Sequence, residues 1–404
     1  MKLLTFGLVF LSLALTTKSQ TTFFKWIPSP FHEFVSESVQ TSNHEFILVG
    51  EKGNNADTVH GYCVKINNNG DVIQTLEPNS GTRVSRLSTI NPYPGSENRF
   101  IITGYNDSLN TTQYKSSLML MVMNDSLQVI RSKEIEMDPG RRVIPYKVTV
   151  VDDSIIYLLA RYDTISVISD FIVFKLNMQF SILNRYHHQY NFPYSMPQDI
   201  FFNTSNETLY IYYFGPIIND LPSSNNVVCL DRNLAYKYGA PVERLITTNI
   251  SASPLNDSVF FVTGSAISTH TTEDKSIGIY LVNDSNRTLK ASEFWDSIDT
   301  LLWTSRGGHT LSIDRTNSCV YLSGIFNFEP FSYFFQTKPT WVQFVQTDFN
   351  LNIKAHILYG GDAAYLPWCN ISVKEGGSLI AGGRFNYLNP DDKRHNIFLL
   401  KTDT

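Results

Sequence analysis

Few residues of this sequence are arranged in the patterns of catalytic, metal-binding or phosphate-binding motifs. There is no Gly-x-Ser-x-Gly nucleophile motif, no His-Glu-x-x-His zinc motif and no phosphate-binding loop. The nine histidines lack the spacing of metal ligands. His187 and His188 are adjacent on a predicted strand, where successive side chains point to opposite faces, so they cannot share one metal ion. The sequence therefore predicts no metal site and no cofactor.

Aromatic side chains are the stronger chemical signal, since Phe, Tyr and Trp make up 13% of the chain. Many of them fall in long connections between predicted strands, above all in residues 326–335. Aromatic faces beside Arg, Asn or Asp suit sugar rings or extended peptides. We therefore predict the following ligand-binding residues: Trp295, Trp303, Arg306, His309, Phe331, Tyr333, Tyr365 and Trp368. The alternative is that these rings pack on one another and hold the long connections down.

A unit that recurs seven times must position these residues. Its most regular part is a short apolar run, as in residues 46–50, 100–104 and 320–324, and successive runs end 50 to 60 residues apart. The runs are nearly continuous in apolar residues, as expected of strands buried on both faces. Each unit reads as four strands, and its third strand ends in Asn or Asp. A strand-only repeat of this length predicts an all-β seven-bladed β-propeller with four-stranded antiparallel blades.

The ends of the chain predict how the ring closes. The seventh unit lacks a fourth strand, whereas residues 22–28 hold one strand left over. We predict that this N-terminal strand completes the last blade, which removes an exposed sheet edge. The alternative is a truncated chain with a loose N-terminus. The predicted blades span about residues 33–77, 82–137, 143–190, 195–240, 245–295, 306–358 and 366–404 plus 22–28, so the propeller occupies residues 21–404.

Residues 1–20 have the pattern of a secretory signal peptide. Lys2 precedes an apolar run at residues 3–15, which is too short for a membrane-spanning helix. We therefore expect an exported monomer that is secreted, periplasmic or on the cell surface, without a membrane span. Charged residues are only 17% of the chain, the net charge is -5 and no basic block occurs, so nucleic acid is not an expected partner.

Four cysteines invite a search for disulfides in an exported protein. Cys63 and Cys229 fall on blades 1 and 4, too far apart on the ring to bond. Cys319 and Cys369 fall on the neighbouring blades 6 and 7 and form the one candidate disulfide. The alternative is that all four are buried free thiols that pack as small apolar residues.

The repeat unit resembles those of secreted bacterial propellers, notably propellers exported by Gram-negative gliding bacteria. Its form is aromatic-Ile-apolar-apolar-Gly followed by apolar-Lys-apolar-Asn/Asp, and the closest copies are residues 46–50 with 64–67 and residues 379–382 with 400–403. The resemblance covers almost the whole chain after residue 20. The signatures of kelch and WD40 repeats do not recur. The resemblance implies a fold but no shared catalytic residues.

Three functions are compatible with the sequence. The favoured one is a non-enzymatic binding module whose ligand, a glycan or a protein, docks where the long connections converge on the axis, a surface we call the long-loop face. The second is a glycoside hydrolase or lyase that uses axial carboxylates, for which the candidates are Asp199, Asp314 and Asp362. The third is a structural platform in an envelope assembly.

Overall fold

The computed structural model describes residues 22–54, 59–78, 84–108, 115–164, 169–188, 195–215, 224–242, 249–267, 275–285, 287–294, 302–304, 309–329, 332, 334–389 and 391–403. Within these ranges the regular structure is 29 β-strands in seven antiparallel sheets. No helix in the described part of the chain has the length and apolar character needed to cross a membrane.

The strands follow one another blade by blade along the chain. Blades 1 to 3 contain β2 (His32–Gln40), β3 (Phe46–Gly53), β4 (Val59–Ile66) and β5 (Val72–Leu76), then β6 (Val84–Pro92), β7 (Arg99–Ser108), β8 (Lys115–Asn124) and β9 (Val129–Glu136), then β10 (Arg141–Val151), β11 (Ile155–Thr164), β12 (Ser169–Asn177) and β13 (Ile182–His188). Blades 4 and 5 contain β14 (Met196–Asn203), β15 (Thr208–Gly215), β16 (Ser224–Asp231) and β17 (Tyr236–Pro241), then β18 (Ser251–Pro254), β19 (Val259–Ile267), β20 (Lys275–Asn283) and β21 (Thr288–Phe294). Blades 6 and 7 contain β22 (Leu302–Thr304), β23 (Leu311–Asp314), β24 (Cys319–Phe326), β25 (Trp341–Asp348) and β26 (Ile353–Gly360), then β27 (Ala364–Ser372), β28 (Ser378–Phe385), β29 (His395–Lys401) and β1 (Phe23–Ile27).

Each blade is a four-stranded antiparallel sheet whose first strand lies innermost, so the prediction of a seven-bladed β-propeller is confirmed. Blade 6 differs because its inner strand is divided: β22 and β23 both pair with β24. The inner strands run from the long-loop face to the opposite surface, where short connections such as residues 41–45 and 67–71 lie. We call that opposite surface the short-turn face.

The N-terminal strand closes the ring, as predicted. β1 pairs antiparallel with β29 along its whole length, with Phe24 opposite Leu400 and Trp26 opposite Phe398. The ring of Phe24 lies 5.1 Å from that of Tyr365, which is on the innermost strand of the same blade. Both ends of the chain therefore belong to one sheet, and closure depends on side-chain packing as well as on backbone hydrogen bonds.

Among the described residues the hydrophobic core forms eight clusters. Seven of them fill the gaps between neighbouring blades, one in each gap, and the smaller eighth contains Phe34, Ile325, Phe328 and Leu366. Strand β3 shows why its sequence is continuously apolar. Phe46 and Leu48 face blade 7, whereas Ile47 and Val49 face blade 2. Every second strand is thus buried on both sides, so the period-two alternation of a half-exposed strand is absent.

The Asn or Asp that ends each third strand has a defined structural role. The side-chain oxygen of Asn67 accepts hydrogen bonds from the backbone N–H groups of residues 69 and 71. The same pattern recurs at Asn124, Asn177, Asp231, Asn283 and Asp348. These Asx turns carry a residue with positive φ, which is a buried apolar side chain in four blades: Leu127, Phe180, Leu234 and Leu351.

Blade 1 departs from this rule because its turn carries Gly70, with φ of 76°. A Cβ atom there would lie 2.7 Å from the ring of Phe23. In the other turns the apolar residue packs against the preceding blade. In blade 1 the preceding blade is blade 7, and Phe23 of the closing strand fills that space.

A β-bulge recurs in the inner strands of five blades. The pairing of inner and second strand skips one residue each time, at Ser36, Ser88, Tyr146, Gln198 and Trp368. A bulge re-aims the side chains that follow it. In blades 1, 3 and 4 the next residue is charged, namely Glu37, Lys147 and Asp199. The fold thereby gathers charged groups around the axial channel.

Candidate functional site

His309 lies across the axial channel and joins three blades. It belongs to blade 6, between the two segments of the divided inner strand, and is 3% exposed. Its Nδ1 lies 2.8 Å from Oε1 of Glu37 on blade 1. Its Nε2 lies 3.0 Å from the backbone oxygen of Tyr146 on blade 3. The imidazole therefore closes the channel partway along its length.

The partners of His309 determine its charge. The carbonyl oxygen of Tyr146 can only accept, so Nε2 must carry a proton. Burial raises the pKa of Glu37, but the charge of His309 and its hydrogen bond, the charge of Lys147 and the backbone N–H of Ile90 together lower it below its usual range. Oε2 of Glu37 accepts from the backbone N–H of Ile90, and its Oε1 faces Nδ1 of His309, which donates to it. The pair is a buried imidazolium and carboxylate.

Two carboxylates of the inner strands also hold neighbouring blades together. Oε2 of Glu37 accepts from the backbone N–H of Ile90 on blade 2, at 2.8 Å. Asp199 of blade 4 accepts from its neighbour Ile200 at 2.7 Å and from Ala252 on blade 5 at 2.6 Å. Lys147 lies 3.5 Å from Oδ1 of Asp199. Both oxygens of each carboxylate are thus engaged in contacts within the ring.

A cavity of about 370 Å³ occupies the channel on the short-turn side of His309. Its walls come from the inner strands of blades 1, 2, 3, 6 and 7, from the bulges to the strand ends. Its polar lining includes Asn91, Asn370 and Ser372, and Lys374 follows the end of β27 at the rim. Apolar patches alternate with these groups, including Val39 and Leu311. The site can therefore bind a small molecule that has both hydroxyl and hydrocarbon surface.

Of the eight predicted ligand-binding residues, only three have described side chains. Trp295, Arg306, Phe331 and Tyr333 lie outside the described residues, and of Trp303 only the backbone, in β22, is described. His309 is the one that the structure places at the cavity.

Tyr365 and Trp368 do not join His309. The hydroxyl of Tyr365 lies 2.7 Å from Asp362, and its ring packs on Phe24 and Phe398. The ring of Trp368 lies 4.9 Å from that of Phe34 and 5.7 Å from that of Phe334 in the connection after β24. Trp368 thus packs against the connection after β24, whereas Tyr365 packs within blade 7. A ligand contact at either residue stays a prediction.

The candidate disulfide between Cys319 and Cys369 is not formed, and all four cysteines are buried free thiols. Cys369 faces blade 1, where its sulfur lies 3.4 Å from Oγ of Ser38. Cys319 packs in the gap between blades 6 and 7, where Lys354 contacts its sulfur at 3.3 Å. The two thiols lie on opposite sides of blade 7, a fact that their neighbouring positions in the repeat do not reveal.

The axial carboxylates considered for hydrolysis are not brought together. Asp199 accepts backbone hydrogen bonds from Ile200 and from Ala252 on the next blade. Asp314 ends β23 and binds the side chain and backbone N–H of Asn317 in the following turn. Asp362 precedes β27 and pairs with Arg384 of the same blade at 3.0 Å. Within the described ranges, no group of three or more His, Cys, Asp or Glu side chains could hold a metal ion.

A second polar network lies near the long-loop face of blades 7, 1 and 2. The backbone N–H of His395 donates to Nδ1 of His32, so the latter's Nε2 carries the proton that faces Glu51 at 3.1 Å. The other oxygen of Glu51 lies 2.7 Å from Nε of Arg86 on the next blade. Burial lowers the pKa of His395 to about 3, so this imidazole is neutral. This network stabilises the junction of the first and last blades.

Sequence reasoning identified His309 but missed Glu37 and Lys147. Each is a lone charged residue within an otherwise largely uncharged stretch of the innermost strand, as is Asp199 in blade 4. That recurrence at one repeat position was the available signal. This recurrence is hard to detect because each charged residue follows a β-bulge, and the alternation of polar and apolar residues along a strand does not reveal a bulge.

No family model matches this sequence, and no curated protein is significantly similar to it. Solved structures show the same fold. The β-propeller domain of the Trilobed protease from Pyrococcus furiosus has a TM-score of 0.50 at 11% identity, over 95% of this chain and 96% of that one. That domain is described as having an open velcro topology, whereas here β1 closes the ring.

Two further solved structures, of proteins with different names, are similar in fold to this chain. An acylaminoacyl peptidase has a TM-score of 0.50 at 9% identity over 92% of this chain, which spans about half, 52%, of that protein. A Synechocystis apocarotenoid oxygenase variant has a TM-score of 0.50 at 9% identity, over 80% of this chain and 71% of that one. At these identities the likeness establishes the propeller architecture alone.

Proposed function

We propose that this chain is a non-enzymatic binding module that holds a small polar ligand, such as the end of a glycan, in the short-turn half of its axial channel. The observation that carries the proposal is the cavity of about 370 Å³ that five blades line and His309 closes from within. Its volume is within the range of small-molecule sites, roughly 300–1,000 Å³. A glycan end suits this recessed space better than the flat surface of a folded protein does.

The chemistry of the lining favours binding over hydrolysis. A glycosidase needs two carboxyl groups that flank the scissile bond, one of them able to give up a proton. Among the described lining residues Glu37 is the one carboxylate, and both of its oxygens are engaged, by His309 and by Ile90. Protonating Glu37 would break the pair that closes the channel. These contacts support a role in recognition.

A glycan microarray can test the proposal with two matched variants. Ser372 lines the cavity, and Ser372→Trp should fill the cavity and abolish binding. Ser132 is exposed on the outer strand β9, and Ser132→Trp makes the same change outside the cavity and should preserve binding. Absence of binding by the wild-type chain, or equal binding by wild type and Ser372→Trp, would refute the axial site.

Export of the protein is the second part of the proposal. It is supported by the signal-like pattern of residues 1–20. Expression of the full chain in a bacterium, followed by fractionation and N-terminal sequencing, should yield a protein outside the cytoplasm that begins close to residue 21. An uncleaved cytoplasmic product would contradict export without affecting the axial site.

A further inference from the structure

We propose that the side chains of Lys401 and Asn68 join in an isopeptide bond, with loss of ammonia, and so fasten blade 7 to blade 1 covalently. This modification is independent of the proposed function and lies at the seam where the two ends of the ring meet. It is supported by three features of the seam: the burial of the lysine, the fixed contact between the two side chains, and a carboxylate that faces the lysine.

Lys401 is a buried lysine without an ionic partner. It lies in β29, the third strand of blade 7, and is 1% exposed. Its Nζ contacts Oδ1 of Asn68 and lies 5.8 Å from the centre of the Phe46 ring. In the described part of the chain, no carboxylate lies within ion-pair distance of this Nζ. Burial lowers the pKa of the ammonium and outweighs the charge of Glu375, which raises it. Because an amine attacks only in its neutral form, the lowered pKa favours reaction.

The backbone holds Asn68 and Lys401 in place on both sides of the seam. Asn67 caps the turn of Asn68, since its side-chain oxygen accepts from the backbone N–H groups of residues 69 and 71. Strand β29 is paired on one side with β1 and on the other with β28. The carbonyl carbon of the Asn68 side chain is about 1.2 Å from the oxygen that Nζ contacts, so the amine lies next to the atom that it must attack. Fixed proximity of this kind is equivalent to an effective concentration of up to about 10⁸ M.

Glu375 provides a carboxylate beside the reacting pair. It lies in the connection between β27 and β28. Its Oε2 accepts from Nε2 of Gln40 at 2.8 Å, and its Oε1 contacts Nδ1 of His44. Burial raises the pKa of Glu375, but hydrogen bonds, first that from Gln40, and the charges of His44 and Lys401 outweigh this effect and lower it. Each carboxylate oxygen has two acceptor sites, so the ionised Glu375 can also take a proton from Lys401 through one water.

The reaction balances without a further reactant. Glu375 takes one proton from the ammonium, and the neutral Nζ of Lys401 attacks Cγ of Asn68. A new C–N bond forms and the C–NH2 bond breaks. The departing nitrogen takes a second proton from the attacking amine and leaves as ammonia, and Glu375 returns its own proton to solvent. No electrons are transferred, so neither an oxidant nor a reductant is needed. Asn68 is half-buried, which leaves ammonia a path to solvent.

A second contact between a lysine and an asparagine provides an internal control. Nζ of Lys175, at the equivalent position of blade 3, lies 2.9 Å from Oδ1 of Asn233 on blade 4. In the corresponding connection of blade 3 the carboxylate is Asp152, which contacts Arg232, a cation that stays charged. Asp152 is therefore held away from the role given to Glu375. We expect the link to form at Lys401 and not at Lys175.

Peptide mapping of the full chain by mass spectrometry tests the inference. Trypsin should yield a branched peptide that joins residues 66–83 to a segment that begins at residue 395 and is uncut at Lys401. Its mass should be about 17 Da below that of the two parts together, because ammonia is lost. Lys401→Arg keeps the cation and Asn68→Ser keeps an acceptor, yet each should give the two separate peptides. Glu375→Gln should leave most of the chain unlinked, and the peptides of Lys175 and Asn233 should be separate throughout.

The wild-type chain decides the outcome, so a variant that fails to fold does not affect the test. Separate peptides from the wild-type chain would overturn the inference. A link that persists fully in Glu375→Gln, or a second link at Lys175, would overturn the role given to Glu375. These outcomes are distinct from those for the glycan site, because Lys401, Asn68 and Glu375 do not line the axial cavity.

Discussion

Replacing His309 by Phe should destabilise the propeller strongly, because the contact with Glu37 is a buried ion pair. The substitution keeps an aromatic ring but removes both N–H donors, to Glu37 and to the carbonyl of Tyr146. Removing one partner of a buried pair typically costs about 3–5 kcal/mol. Glu37 would keep the backbone N–H of Ile90 and the nearby charge of Lys147. We therefore expect a loss near the lower end of that range, about 3 kcal/mol.

A double-mutant cycle measured by urea unfolding at pH 7 isolates the pair. Glu37→Gln should cost less than His309→Phe, since a neutral amide needs no cation and its oxygen can still accept from Ile90. The double variant should be more stable than the sum of the single losses predicts, by about 1–2 kcal/mol of coupling. Lys133→Met serves as the exposed control, with an unchanged midpoint. A loss below about 1 kcal/mol for His309→Phe, or additive single losses, would refute a charged pair at the axis.

Three further predictions concern acid stability, closure and the thiols. Burial raises the pKa of Glu37 and Glu51, but neighbouring cations and hydrogen bonds outweigh it and lower both values. The stability they contribute is therefore complete above the ordinary glutamate pKa, about 4.3, and is lost as pH falls through the folded values. The urea concentration at the unfolding midpoint should fall as the pH is lowered below 5, and it should fall less steeply in Glu37→Gln. An identical pH profile for that variant would argue against a lowered pKa of Glu37. Phe23→Ala should cost about 1–2 kcal/mol, less than a fully buried Phe, and should raise hydrogen exchange in β1 and β29 first. Gly70→Ala should act similarly, because φ there is 76° and its Cβ would lie 2.6 Å from the Lys25 side chain; unaltered exchange in both variants would contradict the role given to Phe23. The native protein should not react with a thiol reagent at pH 8, because all four thiols are buried. In urea without a reductant, four thiols should react, namely those of Cys63, Cys229, Cys319 and Cys369. Reaction of only two thiols would reveal a disulfide.

The architecture could be predicted because it depends on local signals that repeat. The continuous apolar run of β3 reflects burial on both faces, and Asn67 marks the turn that its side chain caps. The leftover strand at the N-terminus predicted closure with β29. Each of these features is decided by residues close together in the sequence or by their spacing, and seven copies reinforce the signal.

The site could be predicted only in part because it depends on contacts between distant blades. His309 was chosen for its place in a long connection, but its partners lie 272 residues away in Glu37 and 163 residues away in Tyr146. The bulge at Ser36 turns Glu37 toward the axis, and no single sequence signals it. For the same reason the sequence does not reveal that Trp368 packs on Phe34 and Phe334.

A crystal structure of the wild-type chain with the glycan that it binds on the microarray would test the central claim most directly. We predict that His309 closes the channel between Glu37 and Tyr146 and that the end of the glycan lies in the cavity on the short-turn side. An open channel, or a ligand bound solely at the long-loop face, would contradict it.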